Sequence, residues 1–339
     1  MQNLISFTQS DCDSLLKARK GEIKFGEQIQ LIPKLINIYD DIANLDVDYV
    51  IFGISEDIGI YANNGITGAY KAWDATIKFL LNTQSNSFTK ANRVLLLGHL
   101  DYRKEREFIY GLDPSKKKSI SKARGIVEAI DKDVTHIVSS IVKAGKIPII
   151  IGGGHNNAYG TIKGCALAYN SRINVINFDA HTDFRAEEGR HSGNGFSYAY
   201  AEGFLKNYFV FGLHENYTSE LLFKTIKKIK SIKYNSYEAM EVRHELDFLQ
   251  EMATALNHIA DRNFGIEIDC DAIENIPSSA MSPSGFSVKQ ARQFVHYFGQ
   301  HPNASYLHFC EASPTKESET LVGKLITYLI TDFMRAHGH

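Results

Sequence analysis

Apolar residues follow two rhythms along this chain. Short, mostly apolar runs read as buried strands: Tyr49–Ile54, Arg93–Leu97, Lys146–Ile151, Ile173–Phe178, Tyr208–Leu213, Phe264–Ile268 and Ser305–Phe309. Between them lie stretches in which apolar positions recur every three to four residues, as on one face of a helix. These are Gly68–Leu81, Ser119–Lys143, Asn156–Ala168, Ser219–Lys228, His244–Asp261, Val288–Phe298 and Leu321–Ala336. Ser119–Lys143 carries the pattern through Ile120, Ala123, Ile126, Ile130, Val134, Ile137 and Ile141. Ser55–Asn64, rich in Asp, Gly and Asn, reads as a loop, and residues 1–45 are mixed and polar. Repeated βα units predict a mostly parallel central sheet covered by helices on both faces. No internal repeat and no Pro/Gly/Ser linker interrupts the pattern, so residues 1–339 are expected to form a single domain.

Composition narrows the function more than the fold. The chain is 44% hydrophobic and 22% charged, with a net charge of -2, which favours neither a nucleic-acid nor a membrane surface. The basic run Lys116–Lys118 reads as a solvated helix start. Cys12, Cys165, Cys270 and Cys310 show no pair spacing, so neither a disulfide framework nor a zinc knuckle is expected. The N-terminus carries Asp11 and Asp13 and no apolar core of a signal peptide, and no apolar run is long enough for a membrane span. The expected compartment is the cytoplasm.

In such sheets, sites form at the carboxyl ends of the strands. Asp179, His181 and Asp183 alternate just beyond the run Ile173–Phe178, and period-two spacing points them the same way. Two carboxylates and an imidazole make half of a metal site. Mixed oxygen and imidazole donors suit a borderline divalent ion such as manganese. His155 follows Gly152-Gly153-Gly154 at another strand end, where the glycines permit a tight turn. Asp269 and Asp271 end a third strand on one face, and Glu311 ends the last. Two His and four Asp from three strand ends fit two ions with shared carboxylates and overfill one.

The segments GGGH (152–155), DAHTD (179–183) and DCD (269–271) resemble, in order and separation, those of the ureohydrolase family of arginase, agmatinase and formimidoylglutamase. Glu311 before Ser313-Pro314 is similar to the family's late glutamate, and Gly53–Ala69 to its early Gly/Asp/Asn-rich loop. The resemblance covers about residues 48–335, leaving 1–47 as an N-terminal extension expected to pack on the domain. It implies a three-layer α/β/α arginase-like fold and two Mn²⁺ per chain, which activate water toward a C–N bond of an amidino or guanidino substrate. It assigns His155, Asp179, Asp183 and Asp269 to one ion. His181, Asp179, Asp269 and Asp271 go to the other, with Asp179 and Asp269 bridging. Asp183 is then the proton relay to the leaving amine, and Glu311 the partner of the cationic amidine. A homo-oligomer is the family tendency.

The loop after the metal half-site separates the possible substrates. Arginases carry asparagine where Arg185 stands, then Ser-Gly-Asn-x-His. Here Ser192-Gly193-Asn194 is present but Phe196 replaces the histidine, leaving His191 as a substitute proton carrier. Arg185 with Ser-Gly-x-x-Phe downstream is similar to formimidoylglutamase. Its guanidinium suits a substrate carboxylate, with Ser192 and Asn194 as further contacts. N-formimidoyl-L-glutamate, cleaved to glutamate and formamide, is therefore the expected substrate. Two departures stand against the pattern: Ile66 where formimidoylglutamases often have Arg, and a degenerate segment over 274–285. Arginase, agmatinase or guanidino-acid hydrolase activity is the alternative. A non-catalytic homologue and a one-ion zinc deacetylase are further readings. Cys270, between two expected ligands, raises the question of redox sensitivity.

Overall fold

The computed structural model describes residues 3–32 and 38–337. Its frame is one sheet of nine strands: β1 (Leu4–Ser6), β2 (Tyr49–Ser55), β3 (Val94–Asp101), β4 (Ile147–Ile151), β5 (Ile173–Phe178), β6 (Leu205–Leu213), β7 (Ile232–Ser236), β8 (Phe264–Asp269) and β9 (Ala304–Cys310). Their spatial order is β1-β3-β2-β4-β9-β8-β5-β6-β7, with β1 antiparallel and the other pairings parallel.

Alternation along the strands feeds two cores. In β2, Tyr49 and Ile51 join the cluster on one face, while Val50, Phe52 and Ile54 join the other. The first face is covered by helices Ala72–Leu80, Phe248–Ile259, Val288–Gly299 and Glu319–Ala336. The second is covered by Lys117–Lys143, Asn157–Tyr169 and Gly195–Ala201. The chain is thus an α/β protein in three layers, as the apolar rhythm predicts. Every residue of β2, β5, β8 and β9 is buried, which is why those strands are mostly apolar on both faces rather than strictly alternating.

The N-terminal residues join the edge of this sheet: Leu4, Ile5 and Ser6 pair with Leu100, His99 and Gly98 of β3. Some elements depart from those expected. Residues 55–64, read as a loop, contain a buried helix over Ile58–Ala62. The helix expected from His244 starts at Phe248, where Asp247 accepts the Gln250 N–H as its cap.

What matters for the site is that β2, β4, β9, β8 and β5 are consecutive neighbours. Their carboxyl ends bring the segments at 56–57, 152–155, 311, 269–271 and 179–183 to one edge of the sheet.

Candidate metal centre and active site

β4 ends in a turn that only glycine tolerates. Gly152 and Gly153 adopt φ of 90° and 79°, and a Cβ on Gly153 would lie 2.3 Å from the Asn157 amide nitrogen. The turn delivers His155 to the sheet edge with its ring fully buried. Nδ1 of His155 lies 2.8 Å from Asp183, 3.1 Å from Asp269 and 3.3 Å from Asp179. None of these is aligned as a hydrogen bond, so both ring nitrogens lack a hydrogen-bond partner among the described residues. A buried imidazole lone pair facing three carboxylates without bonding any of them is the arrangement a cation requires. Nearby, His181 Nδ1 sits 3.0 Å from Asp271 and 3.6 Å from Asp179, and Oδ1 of Asp271 is also without a partner. Burial, then the neighbouring Asp271 and Asp179 carboxylates, push the Asp269 carboxyl well above its ordinary range. A divalent ion would relieve that repulsion.

Candidate ligand atoms fall into three groups: His155, Asp179, Asp183 and Asp269; Asp179, His181 and Asp271; and His155, Asp269 and Cys310. Asp179 is common to the first two of these groups, and Asp269, whose Oδ1 accepts the Asp271 N–H at 2.9 Å, stands beside both. The donor set, imidazole with several carboxylate oxygens, fits hard to borderline divalent ions.

Two of these positions hold unusual backbone. Asp183 and Glu311 have φ of 42° and 63°, conformations that cost a non-glycine residue about 1–2 kcal/mol. In Glu311 the result is a side chain turned back over the site. Its Oε1 accepts the His155 backbone N–H at 2.7 Å, and Oε2 accepts the Ser279 hydroxyl. Burial pushes the Glu311 carboxyl up to about 8. Asp183, His181, Asp269, Asp271, Glu311, Arg185, Ser192 and Tyr217 line one cavity of about 410 Å³ above the carboxylate cluster.

The remaining sequence candidates divide. Arg185 lines the cavity with its side chain half exposed, donating to Asn63 Oδ1 at 2.6 Å and Glu188 Oε1 at 3.3 Å. Ser192 lines it too and accepts from the Asn63 amide at 3.1 Å. His191 does not line it. Its ring is buried, Nδ1 accepts the Gly193 N–H at 3.1 Å, and Nε2 faces Glu188 at 3.3 Å. Burial, helped by Arg185 and Arg124, lowers its pKa to about 4. It caps the Ser192–Asn194 turn. Asn194 is likewise a loop residue: Oδ1 accepts from Arg190 at 2.7 Å and from the His191 N–H at 3.0 Å, and its amide donates to Gly189 and Ala186 carbonyls. No polar group is left over for a substrate. Phe196 stacks on Tyr208 at 4.4 Å and packs edge-on to His155 at 5.1 Å, fixing the ring of that ligand.

Two supporting residues escaped the sequence reading. Glu267 accepts the Tyr306 hydroxyl at 2.7 Å, meets His308 Nδ1 at 2.6 Å, and lies 3.6 Å from His155 Nε2. It backs the ligand histidine from behind, a carboxylate–imidazole–metal arrangement. Glu56, buried at the end of β2, accepts from Gly154 N, Asn156 Nδ2, Asn157 Nδ2 and the Ile58 N–H at 2.6–3.2 Å. It pins the glycine turn that carries His155. Glu267 had a signal, since it stands one alternation before Asp269; Glu56, about a hundred residues from the turn it holds, had none.

A sheet of this order with a carboxylate–imidazole cluster at its carboxyl edge defines the class. The arginase family model matches residues 48–334, and the chain belongs to the arginase family. Within it, the chain is similar to formimidoylglutamases. That of Streptococcus pyogenes serotype M3 is 24% identical over 304 residues, 83% of this chain and 84% of the relative. That of Chromobacterium violaceum is 28% identical over 181 residues, 50% of this chain. That of Geobacillus thermodenitrificans is 28% identical over 200 residues, 57% of this chain. The match spans 56% and 61% of the length of these last two relatives. In fold, the chain is similar to the formimidoylglutamase of Bacillus subtilis (TM-score 0.73, 17% identity, 96% of each chain). It is also similar to the formiminoglutamase of Trypanosoma cruzi with two Mn²⁺ (TM-score 0.72, 18% identity, 93% of this chain and 99% of that one).

Proposed function

We propose that this protein hydrolyses N-formimidoyl-L-glutamate to L-glutamate and formamide, with two Mn²⁺ per chain. The observation that carries the reading is the joint lining of one cavity by the carboxylate–imidazole cluster, Glu311 and Arg185. It is supported by the formimidoylglutamases to which the chain is similar.

His155, Asp179, Asp183 and Asp269 would hold one ion, and His181, Asp179 and Asp271 the other. When bound, the two ions would lower the pKa of a water molecule and polarise the amidine. The protein's own part is orientation and proton handling. Glu311, anchored at both oxygens by the His155 N–H and the Ser279 hydroxyl, presents its carboxylate to the planar amidinium. Asp183 lines the cavity and takes a proton at its outer carboxylate oxygen, passing it to the departing glutamate nitrogen. Water adds to the amidine carbon, the bond from that carbon to the glutamate nitrogen breaks, and formamide and glutamate are released. Arg185, at the rim and still half exposed, pairs with a substrate carboxylate.

No helix among the described residues is long and apolar enough to cross a membrane. We place the protein in the cytoplasm, where its four free, buried cysteines stay reduced, and infer a homo-oligomer from the family tendency. The test is product analysis of the Mn²⁺-loaded protein on a panel of amidino and guanidino compounds. Formamide and glutamate in equal amounts from formimidoylglutamate are expected. Urea from arginine or agmatine as the dominant product would overturn the assignment.

A further inference from the structure

We infer that Cys310 is a sulfur ligand of the metal centre, giving it a soft donor set of His155, Asp269 and Cys310 beside the carboxylate set; the inference rests on the metal-centre reading above. One candidate ligand atom from each of these three residues lies within 4.8 Å of the other two, and all three are buried. The register explains the grouping. Cys310 ends β9 opposite Asp269 at the end of β8, and His308 pairs with Glu267 two residues earlier. In a parallel pair, opposed residues share a face. Cys310 therefore sits on the side of the sheet that carries Glu267 and Asp269 toward His155.

Its surroundings are wrong for a packing cysteine. Although fully buried, Cys310 belongs to neither of the two apolar clusters. Its thiol donates to the Ile268 carbonyl at 3.6 Å, a bond that is weak because S–H is a poor donor and that a metal–sulfur bond can replace. Cys270 is the contrast. It lies between two candidate ligands in sequence, yet it belongs to the apolar cluster on one face of the sheet. The second sign of a ligand site is His155 itself, fully buried with neither ring nitrogen hydrogen-bonded.

Thiolate prefers thiophilic ions such as Zn²⁺ or Cd²⁺, whereas carboxylates hold Mn²⁺ as readily. The centre thus offers two overlapping sets, a hard one with Asp179 and Asp183 and a soft one with Cys310. They share His155 and Asp269, so one ion uses one set at a time. When a thiophilic ion binds, the metal–sulfur bond replaces the S–H bond, the proton passes to solvent, and nothing is oxidised or reduced.

The experiment is Cd²⁺ titration of the metal-free full chain, read as the ultraviolet sulfur-to-cadmium charge-transfer band, which oxygen and nitrogen donors do not produce. The wild type and Cys270→Ser are expected to show the band, saturating at one Cd²⁺ per chain. Cys310→Ser is expected to lose it and to bind Cd²⁺ roughly ten- to a hundred-fold more weakly, the range seen when groups bearing on a metal site are removed. Cys310→Ala, with circular dichroism on both variants, separates loss of the ligand from loss of fold. No band in the wild type, or a band that survives in a folded Cys310 variant, overturns the proposal. Failure of the hydrolase reading is distinct: it appears as absence of formamide from the Mn²⁺-loaded wild type, whatever the Cd²⁺ spectra show.

Discussion

Replacing Arg185 by alanine tests how the cavity selects its substrate. In the resting protein the guanidinium is already engaged, through Nη1 with Asn63 and through Nη2 with Glu188. A substrate carboxylate must displace the Glu188 contact, whose partners are 52% and 44% exposed. Such an exposed pair is worth about 0–1 kcal/mol, against about 1.5–3 kcal/mol for a charge-assisted bond to the substrate. The net gain is about 1–2 kcal/mol, so Arg185→Ala should lower kcat/KM for formimidoylglutamate roughly five- to thirty-fold. Arg185→Lys should restore only part, because an ammonium lacks the planar fork. Glu188→Gln should act in the opposite direction, raising kcat/KM up to about fivefold by freeing Nη2. The assay is steady-state kinetics on two substrates, formimidoylglutamate and a small N-alkyl formamidine with no carboxylate. The second should be turned over by the variant as by the wild type. Equal losses on both would show that Arg185 merely holds the 185–194 loop against Asn63, and the case for an acidic substrate would lose its main support.

Other perturbations read other parts of the molecule. Asp179→Ala should leave neither ion bound and Asp271→Ala should spare one, a difference that elemental analysis after gel filtration would register. Glu267→Gln should weaken Mn²⁺ binding roughly ten- to a hundred-fold, because the neutral amide no longer supports the His155 imidazole; calorimetric titration showing an unchanged affinity would rule this out. Chelating the metal should lower Tm by roughly 5 °C for each site that was filled at a hundred times its Kd, and a scan with and without chelator checks it. Burial, only partly offset by the Tyr110 hydroxyl and the Gly68 N–H, pushes the Asp57 carboxyl up to about 6. The folded state therefore binds that proton more tightly than the unfolded chain. The stabilisation, up to about 3 kcal/mol, is complete below pH ~4 and lost as pH rises through 6. Asp57→Asn should remove that dependence, so urea midpoints of variant and wild type should differ more at pH 8 than at pH 5, in favour of the variant.

The parts of the fold that could be read in the sequence were those whose burial is complete. β2, β5, β8 and β9 lie inside the sheet and left predominantly apolar runs. β1, three residues long, and β7, whose Lys233 is exposed, lie at the two edges and mix polar with apolar positions, so neither leaves such a trace. The same contrast holds at the site. His155, Asp179, His181, Asp183, Asp269 and Asp271 stand at strand ends, where the pleat dictates which way side chains point. His191 and Asn194 lie in a loop, where it does not. Asn194 is held by Arg190, which is buried against Asp131 and bonded to the Asn156 carbonyl, and His191 is held in turn by Asn194 and Gly193. That web of contacts turns both residues inward, and no spacing rule over residues 185–194 encodes it.

The register of the central strands works as a ruler for the chemistry. Phe178 is paired with Ile268, and Ile268 with Phe309, so Asp179, Asp269 and Cys310 each come one step beyond a rung of the same ladder. Parallel strands repeat at about 4.8 Å, a pitch set by the peptide backbone that no side-chain substitution can stretch. The spacing of the donor groups is therefore inherited from the backbone. The walls of the cavity are made elsewhere, by Asn63, Arg185, Ser192, Tyr217 and Ser279 on loops and turns. Those walls can be rewritten without disturbing the spacing of the donor groups. Substrate choice and reaction type can in this way evolve on separate parts of one molecule.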